Sequence, residues 1–215
     1  MKKLSPYFYL VFLSFSIALP KHLLSQESGR METDRPDQTE SPIITKRKYV
    51  QAEIGFNREK LTNGTSWITP TSLLKYGISK KIEVRVITEF ENFKNTITTD
   101  NKVINGLQPV QIGGKVALFE EKGLLPLTSL IFHTGIPLLS SPNFKTSNPS
   151  LNFRFTMQHT LSETVSLGYN IGAEWDGENK KPNWIYTIAP GKNFGEKWYG
   201  YIELFGEIGN GKSPE

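Results

Sequence analysis

The stretch that decides the fold is TSLLKYGISKKIEVRVITEF, residues 71–90. On both sides of a turn at residues 79–81, apolar and charged side chains alternate with a period of two. The apolar set is Leu74, Tyr76, Ile78, Ile82, Val84, Val86 and Phe90, and the opposite parity carries Leu73, Lys75, Gly77, Glu83, Arg85 and Glu89. A period of two predicts a pair of β-strands with one apolar and one charged face.

Similar hairpins recur along the chain and predict about nine strands of roughly 8–11 residues, near the length that a tilted membrane strand needs. Their connections alternate between short turns and longer polar loops, the longer ones at residues 58–66, 91–106, 136–149 and 176–182. Transmembrane barrels have this alternation. The pattern therefore favours an all-β fold, an antiparallel up-and-down transmembrane β-barrel.

Composition limits the function classes. The 215 residues suit one all-β domain. A mean hydropathy of −0.36 excludes a polytopic helical membrane protein but not a barrel, whose lumen is polar. The net charge is +4, and the basic residues are scattered, so we expect no nucleic-acid partner. The chain has no cysteine, which excludes a disulfide framework and a lipidated N-terminal cysteine.

The N-terminus predicts export. Lys2 and Lys3 precede an apolar run at residues 7–19, which is typical of a signal peptide over residues 1–25. A membrane anchor is the alternative, but the run is short and is followed by Pro20 and Lys21. We predict a polar segment at residues 26–46, a β-barrel at 47–208 and a loop-like tail at 209–215.

The polar segment contains ETDRPDQTESP, with the motif residues Asp34, Arg35, Pro36, Asp37, Thr39 and Glu40. Its prolines disfavour a regular element. The acids lack the spacing of a calcium loop, so no metal site is expected. Two interpretations stay open: a solvated linker, or a plug that enters the barrel and pairs with Lys75, Lys115 or Arg85.

Several motifs carry a family resemblance. ETDRPDQTESP, YVQAEIGF, TSLLKYGISKKIEVRV, VQIGGKVALFEEKG and YTIAPGKNFGEKWYGYIELFGE resemble the outer-membrane family labelled "putative MetA-pathway of phenol degradation". The resemblance covers roughly residue 32 to the end. It implies a porin-like barrel that passes small, hydrophobic or aromatic solutes, and it implies no catalytic residues.

The resemblance also implies about twelve strands. The chain ends in GEIGNGKSPE, without an apolar strand that closes on Phe or Tyr. We therefore expect this sequence to lack about three C-terminal strands of the family's barrel, since bacterial barrels have even strand numbers and no open edge. A closed barrel within residues 47–208 would refute this expectation.

Ten polar side chains share the polar faces of their strands and are the candidate lumen-lining residues. They are Gln51, Glu53, Lys75, Glu83, Arg85, Glu89, Lys115, Arg154, Gln158 and Glu174. Two interpretations remain open: a conduit whose charges select solutes, or an interior filled by mutually neutralising ion pairs, as in small barrels.

No enzymatic constellation is visible. His133 and His159 fall in predicted strands among apolar residues, which favours packed histidines over a base or a metal ligand. We expect no catalytic residue, no metal and no cofactor. Trp and Tyr residues lie near strand ends, where aromatic girdles occur in barrels: Tyr49, Trp67, Tyr76, Trp175, Trp184, Tyr186, Trp198 and Tyr199.

The sequence therefore predicts an exported outer-membrane channel or transporter for passive passage of small solutes. Its expected partners are outer-membrane lipid, the barrel assembly machinery and a small solute. One alternative is a structural or surface-interaction barrel with a filled lumen, whose loops 91–106 and 136–150 contact partners. Another is a periplasmic all-β binding protein, which requires Val50, Ile54, Val84, Val86, Leu167 and Ile171 to be buried in a water-soluble core.

Overall fold

The structure, a computed structural model, describes residues 32–34, 38–61, 64–95, 103–195 and 198–209 of the chain. The predicted signal peptide lies outside the described residues. So do Arg35, Pro36 and Asp37 of the N-terminal motif and residues 210–215 of the predicted tail.

One antiparallel sheet makes up almost all of the described part of the chain. It contains eleven strands: β1 Val50–Leu61, β2 Gly64–Gly77, β3 Ile82–Asn95, β4 Val103–Leu107, β5 Val110–Phe119, β6 Leu127–Ile136, β7 Ser150–Thr160, β8 Val165–Trp175, β9 Asn183–Phe194, β10 Trp198–Tyr201 and β11 Leu204–Ile208. The sheet curls into a half-barrel. The predicted all-β antiparallel architecture is confirmed.

Strand pairing follows chain order, in the up-and-down sense. The path runs β1-β2-β3-β5-β6-β7-β8-β9-β10, with β4 added to β3 and β11 added to β9. Within the described residues, β1 pairs with β2 alone, and no pairing joins it to β10 or β11. The sheet is therefore open between its first and last strands in this part of the chain.

Three boundaries differ from the sequence prediction. The first connection is not a long loop, because β1 and β2 continue their ladder to the pair Leu61 and Gly64. The predicted loop 91–106 contains the end of β3 and the first four of the five residues of β4, which pair with each other. The last strand is divided at residues 202 and 203 into β10 and β11. Polar residues extend these ladders because the backbone hydrogen bonds of a strand do not need apolar side chains.

The predicted long loop between β6 and β7 is confirmed. It contains two short 3-10 turns, Pro137–Leu139 and Pro142–Phe144. Ser141 exchanges backbone and side-chain hydrogen bonds with Leu107 of β4, at 2.9 Å each. Ser147 donates to Glu178 in the next loop, so the loops at this end of the sheet are tied together.

The two faces of the sheet are inverted relative to a water-soluble protein. One face, here called the apolar face, is solvent-exposed, with Ile54 75% and Ile171 52% exposed. The other, here called the polar face, buries charged side chains, with Glu83, Arg85 and Lys115 at most 1% exposed. Soluble proteins show the reverse preference.

The exposure of the apolar face argues against one alternative, the periplasmic all-β binding protein. A periplasmic binding protein requires Val50, Ile54, Val84 and Ile171 to be buried, and all four are exposed; Val86 and Leu167 are half-buried. No helix in the described part of the chain has the length and apolar character needed to cross a membrane.

Candidate functional site

The N-terminal segment lies on the polar face of the sheet. Residues 32–34 and 38–46, here called the strap, have no helix or strand, as their prolines predict. Their backbone groups bond to side chains of the strands instead. The described residues of the strap contact every strand of the path from β1 to β9 through side chains of the polar face.

Asp34 is the centre of this arrangement. Its carboxylate lies 2.9 Å from Nζ of Lys75 and 3.2 Å from Nζ of Lys115. A guanidinium nitrogen of Arg85 is 3.4 Å away. The backbone N–H of Asp34 donates to Glu53, which pairs at 2.5 Å with Lys75. One carboxylate thus compensates three buried cations, here called the cation cluster: Lys75, Arg85 and Lys115.

Arg85 joins the two acids of the strap. One guanidinium nitrogen contacts Asp34, and the other contacts Glu40 at 2.5 Å. Its Nε lies 3.8 Å from Glu83 on the same strand. The residue opposite Arg85 on β5 is Gly113, where a Cβ would overlap the backbone oxygen of Phe132 and the ring of His133. Such charge-assisted contacts are the strong class of protein hydrogen bonds.

Lys115 depends on the strap more than the other cations do. Besides Asp34, its ammonium donates to the carbonyl oxygens of Ser41 at 2.7 Å and Ile43 at 3.3 Å. Lys115 has no exposed side-chain surface. A buried ammonium is costly unless it is paired and hydrogen-bonded, and here the strap supplies the partners.

A threonine, a glutamate and an arginine hold residues 38 and 39 of the strap. The hydroxyl of Thr39 donates to Thr187 of β9 at 2.9 Å. Glu203, in the break between β10 and β11, accepts the N–H groups of Gln38 and Thr39. Arg154 of β7 donates to the carbonyl of Gln38 at 2.8 Å.

The middle of the strap is fixed by three further strands. Asn170 of β8 bonds both the N–H and the C=O of Glu40, at 2.7 and 3.0 Å. Ser129 of β6 donates to the carbonyl of Pro42, and Glu83 of β3 accepts the N–H of Thr45. Side chains replace the backbone partners that a strand would have, which satisfies the buried polar groups of an irregular segment.

The chain leaves the strap and joins the sheet beside Gly77. The N–H of Lys48 donates to the carbonyl of Gly77 at 2.7 Å, and Lys48 adopts a left-handed backbone conformation, φ 67°. A Cβ on Gly77 would overlap the carbonyl oxygens of Thr45 and Lys46. Only glycine therefore lets the strap backbone approach β2 this closely.

The local field keeps both strap acids ionised. Burial opposes ionisation of Asp34, but the charges of Lys115, Arg85 and Lys75 outweigh it and hold its pKa below the ordinary 3.8. Burial also opposes ionisation of Glu40, whose pKa is held below 4.5 mainly by the charge of Arg85. The strap is therefore docked in its anionic form.

All ten candidate lumen-lining residues lie on the polar face. Glu53, Lys75, Glu83, Arg85 and Lys115 are buried around the strap. Gln51 donates to Glu53 and to the backbone of Glu32, and Arg154 pairs with Glu174 at 3.1 Å. Glu89 accepts from Thr71, and Gln158 lies opposite Leu127, so these two belong to the face but not to the cluster.

The structure adds residues that the sequence analysis did not single out: Ser129, Asn170, Thr187 and Glu203. The first three lie on the parity that faces the polar side of the sheet, which is a sequence signal of the face but does not mark them as partners of the strap. Glu203 carried no such signal, because its segment was predicted as one continuous strand. His133 is buried on the polar face, opposite Gly113 and Asn152.

The site's chemistry is electrostatic. It fixes carboxylates among cations on a preformed face. Within the described residues, no group of three or more His, Asp or Glu side chains could hold a metal ion.

The family model described as "Putative MetA-pathway of phenol degradation" matches residues 33–213, which include every described strand and all of the strap except Glu32. No curated protein and no solved structure matches the chain. Because the match spans most of the chain, this protein belongs to the family described as "Putative MetA-pathway of phenol degradation".

Proposed function

We propose that the protein is an outer-membrane channel for passive passage of small solutes, hydrophobic or aromatic ones among them, and that it is not an enzyme. The observation that carries this proposal is the inversion of the sheet. Large apolar side chains are exposed on one face, whereas arginine, lysine and glutamate are buried on the other. An apolar exterior and a polar interior are what a barrel in lipid requires.

Aromatic side chains support the proposal by their positions. Tyr49, Tyr76 and Trp198 lie at the end of the sheet that carries the short turns, whereas Trp67 and Trp184 lie at the opposite end. All five are exposed. Two aromatic levels separated by an apolar band match the girdles that sit at the two membrane interfaces.

The strap gives the channel its internal constriction. It occupies the polar face at the level of the cation cluster, so solutes pass beside it or displace it. Outer-membrane lipid and the barrel assembly machinery are the expected partners, and the outer membrane is the expected location. Passage needs neither a cofactor nor energy coupling, because flux follows the concentration gradient through a polar-lined lumen.

A structural barrel with a filled lumen is the second candidate. It is favoured by one observation: the strap is bonded to every strand of the pairing path from β1 to β9, as a permanent filling would be. The two candidates share the membrane location and differ in conductance.

The test is reconstitution of the full chain. Outer-membrane fractionation and heat-modifiable migration in detergent gels should show a folded membrane barrel, and planar bilayers should then show discrete conductance. A folded membrane barrel without conductance would favour the filled barrel. A water-soluble periplasmic product would overturn both.

A further inference from the structure

Three cations meet on the polar face although no strand brings a matching set of anions to them. Lys75 of β2 and Arg85 of β3 are directly opposite each other in the ladder, and Lys115 of β5 lies opposite the neighbouring Glu83. Like charges in directly opposed positions destabilise a sheet. Lys75 and Arg85 are both at most 3% exposed, so a sheet that keeps this pair of like charges requires an anion beside it.

The chain supplies that anion from the strap. Glu53 pairs with Lys75 and Glu83 lies near Arg85, so two of the three cations have a strand carboxylate. Lys115 differs from them: in the described part of the chain its ion pair is with Asp34 of the strap. Its remaining hydrogen bonds go to strap carbonyls. Removal of Asp34 and Glu40 leaves three cations facing two carboxylates.

We propose that the cation cluster is the channel's binding site for the carboxylate group of a small organic solute, and that the strap occupies this site as an intramolecular competitor. The inference rests on the proposed channel function and names its solute class. Asp34 stands where the solute's carboxylate binds. A carboxylate that replaces Asp34 keeps the cluster compensated, whereas a neutral solute leaves buried cations unpaired, which is costly.

The strap also sets the affinity. A tethered competitor acts at an effective concentration in the range of about millimolar. Solutes therefore bind weakly, as passage requires, since a channel site must release what it binds.

The first test follows the strap in a protein whose cluster is intact. The chain has no cysteine, so Thr39→Cys creates a unique, buried label site. The full chain, reconstituted in vesicles, is exposed to a water-soluble maleimide with sodium gluconate or with glucose, a matched pair that differs in the carboxylate. Gluconate should accelerate labelling about tenfold, as competition with a tethered ligand predicts, and glucose should leave the rate unchanged.

The second test measures binding directly. Calorimetric titration of gluconate into the detergent-folded chain should show tighter binding to Asp34→Asn/Glu40→Gln than to the wild type. Adding Lys115→Gln to that variant should abolish the binding, whereas adding Lys122→Gln, in an exposed turn, should preserve it.

The outcomes separate the two proposals. Equal effects of gluconate and glucose on labelling, in a protein that conducts, would overturn the carboxylate site and leave the channel standing. Absence of conductance from the folded wild type would overturn the channel, and the solute site with it.

Discussion

Lys115 and Asp34 are 81 residues apart in sequence, and Nζ of Lys115 lies 3.2 Å from both carboxylate oxygens of Asp34. The contact joins the strap to β5, the fourth strand of the sheet path that begins at β1. Water does not solvate either charge, because Lys115 has no exposed side-chain surface and Asp34 is 2% exposed. The pair therefore couples the position of the strap to the stability of the sheet.

Asp34→Asn should destabilise the folded protein strongly. The change leaves three buried cations short of one carboxylate, and breaking a buried ion pair from one side costs about 3–5 kcal/mol. Urea unfolding in detergent micelles measures the loss. Glu32→Gln is the matched control, because Glu32 is exposed and its described contact uses its backbone oxygen. Equal unfolding midpoints for the two variants would contradict the central role of Asp34.

A disulfide between strap and sheet should reduce conductance reversibly. The hydroxyl oxygens of Thr39 and Thr187 are 2.9 Å apart, which suits a Thr39→Cys/Thr187→Cys pair. Oxidation fixes the strap on the polar face, and reduction frees it. Planar-bilayer recordings before and after reductant measure the effect, with each single variant as control. Conductance that ignores the redox state would show that the strap does not restrict the path.

Gly77→Ala should weaken docking of the strap. The added Cβ overlaps the carbonyl oxygens of Thr45 and Lys46, and such overpacking costs about 1–3 kcal/mol. Protease resistance of the N-terminal segment reports docking. Gly55→Ala serves as control, because its Cβ would meet only a methyl group of Thr71, at 3.7 Å. If the two variants resist protease alike, the close approach at Gly77 is not required.

The strap should remain docked well into the acid range. The pKa of Asp34 is lowered by folding, so its contribution to docking is present above the ordinary value of 3.8 and is lost as the pH falls through the lower, folded-state pKa. The labelling rate of Thr39→Cys, divided by that of a free thiol at the same pH because maleimide reacts with the thiolate, should therefore be constant between about pH 7 and about pH 5. Asp34→Asn removes this titration and leaves that of Glu40, so its strap should respond less than the wild-type strap to stronger acid. Release of the wild-type strap near neutral pH would contradict the electrostatic account.

Part of this arrangement was predictable and part was not. Period-two alternation identified the strands and the charged face, and the acidity of the N-terminal motif suggested Lys75, Arg85 and Lys115 as partners for it. Alternation could not show that Asn170 and Thr187 bind the strap, because neutral side chains that bond to the strap leave no charge pattern. It also missed β4, whose five residues, VINGL, are too short and contain a glycine.

A charge on the apolar face should block insertion into lipid. Ile54→Arg places a cation where we propose acyl chains, at a cost of about 2–4 kcal/mol near the bilayer midplane. Folding yield into vesicles measures the effect. Glu59→Arg, on the polar extension of the same strand, is the control. In a water-soluble protein Ile54→Arg would not lower the folding yield, because Ile54 is 75% exposed and a charge there would be harmless.

The most direct test of the central claim compares two neighbouring residues of β1 that lie on opposite faces, Ile54 and Gly55. Single cysteines at each position carry an environment-sensitive fluorophore in the vesicle-reconstituted chain. Brominated acyl chains should quench the label at position 54 and leave the label at 55 unquenched, because one side chain faces lipid and the other faces the lumen. Absence of quenching at both positions would contradict a lipid-facing apolar surface, and with it the proposed membrane channel.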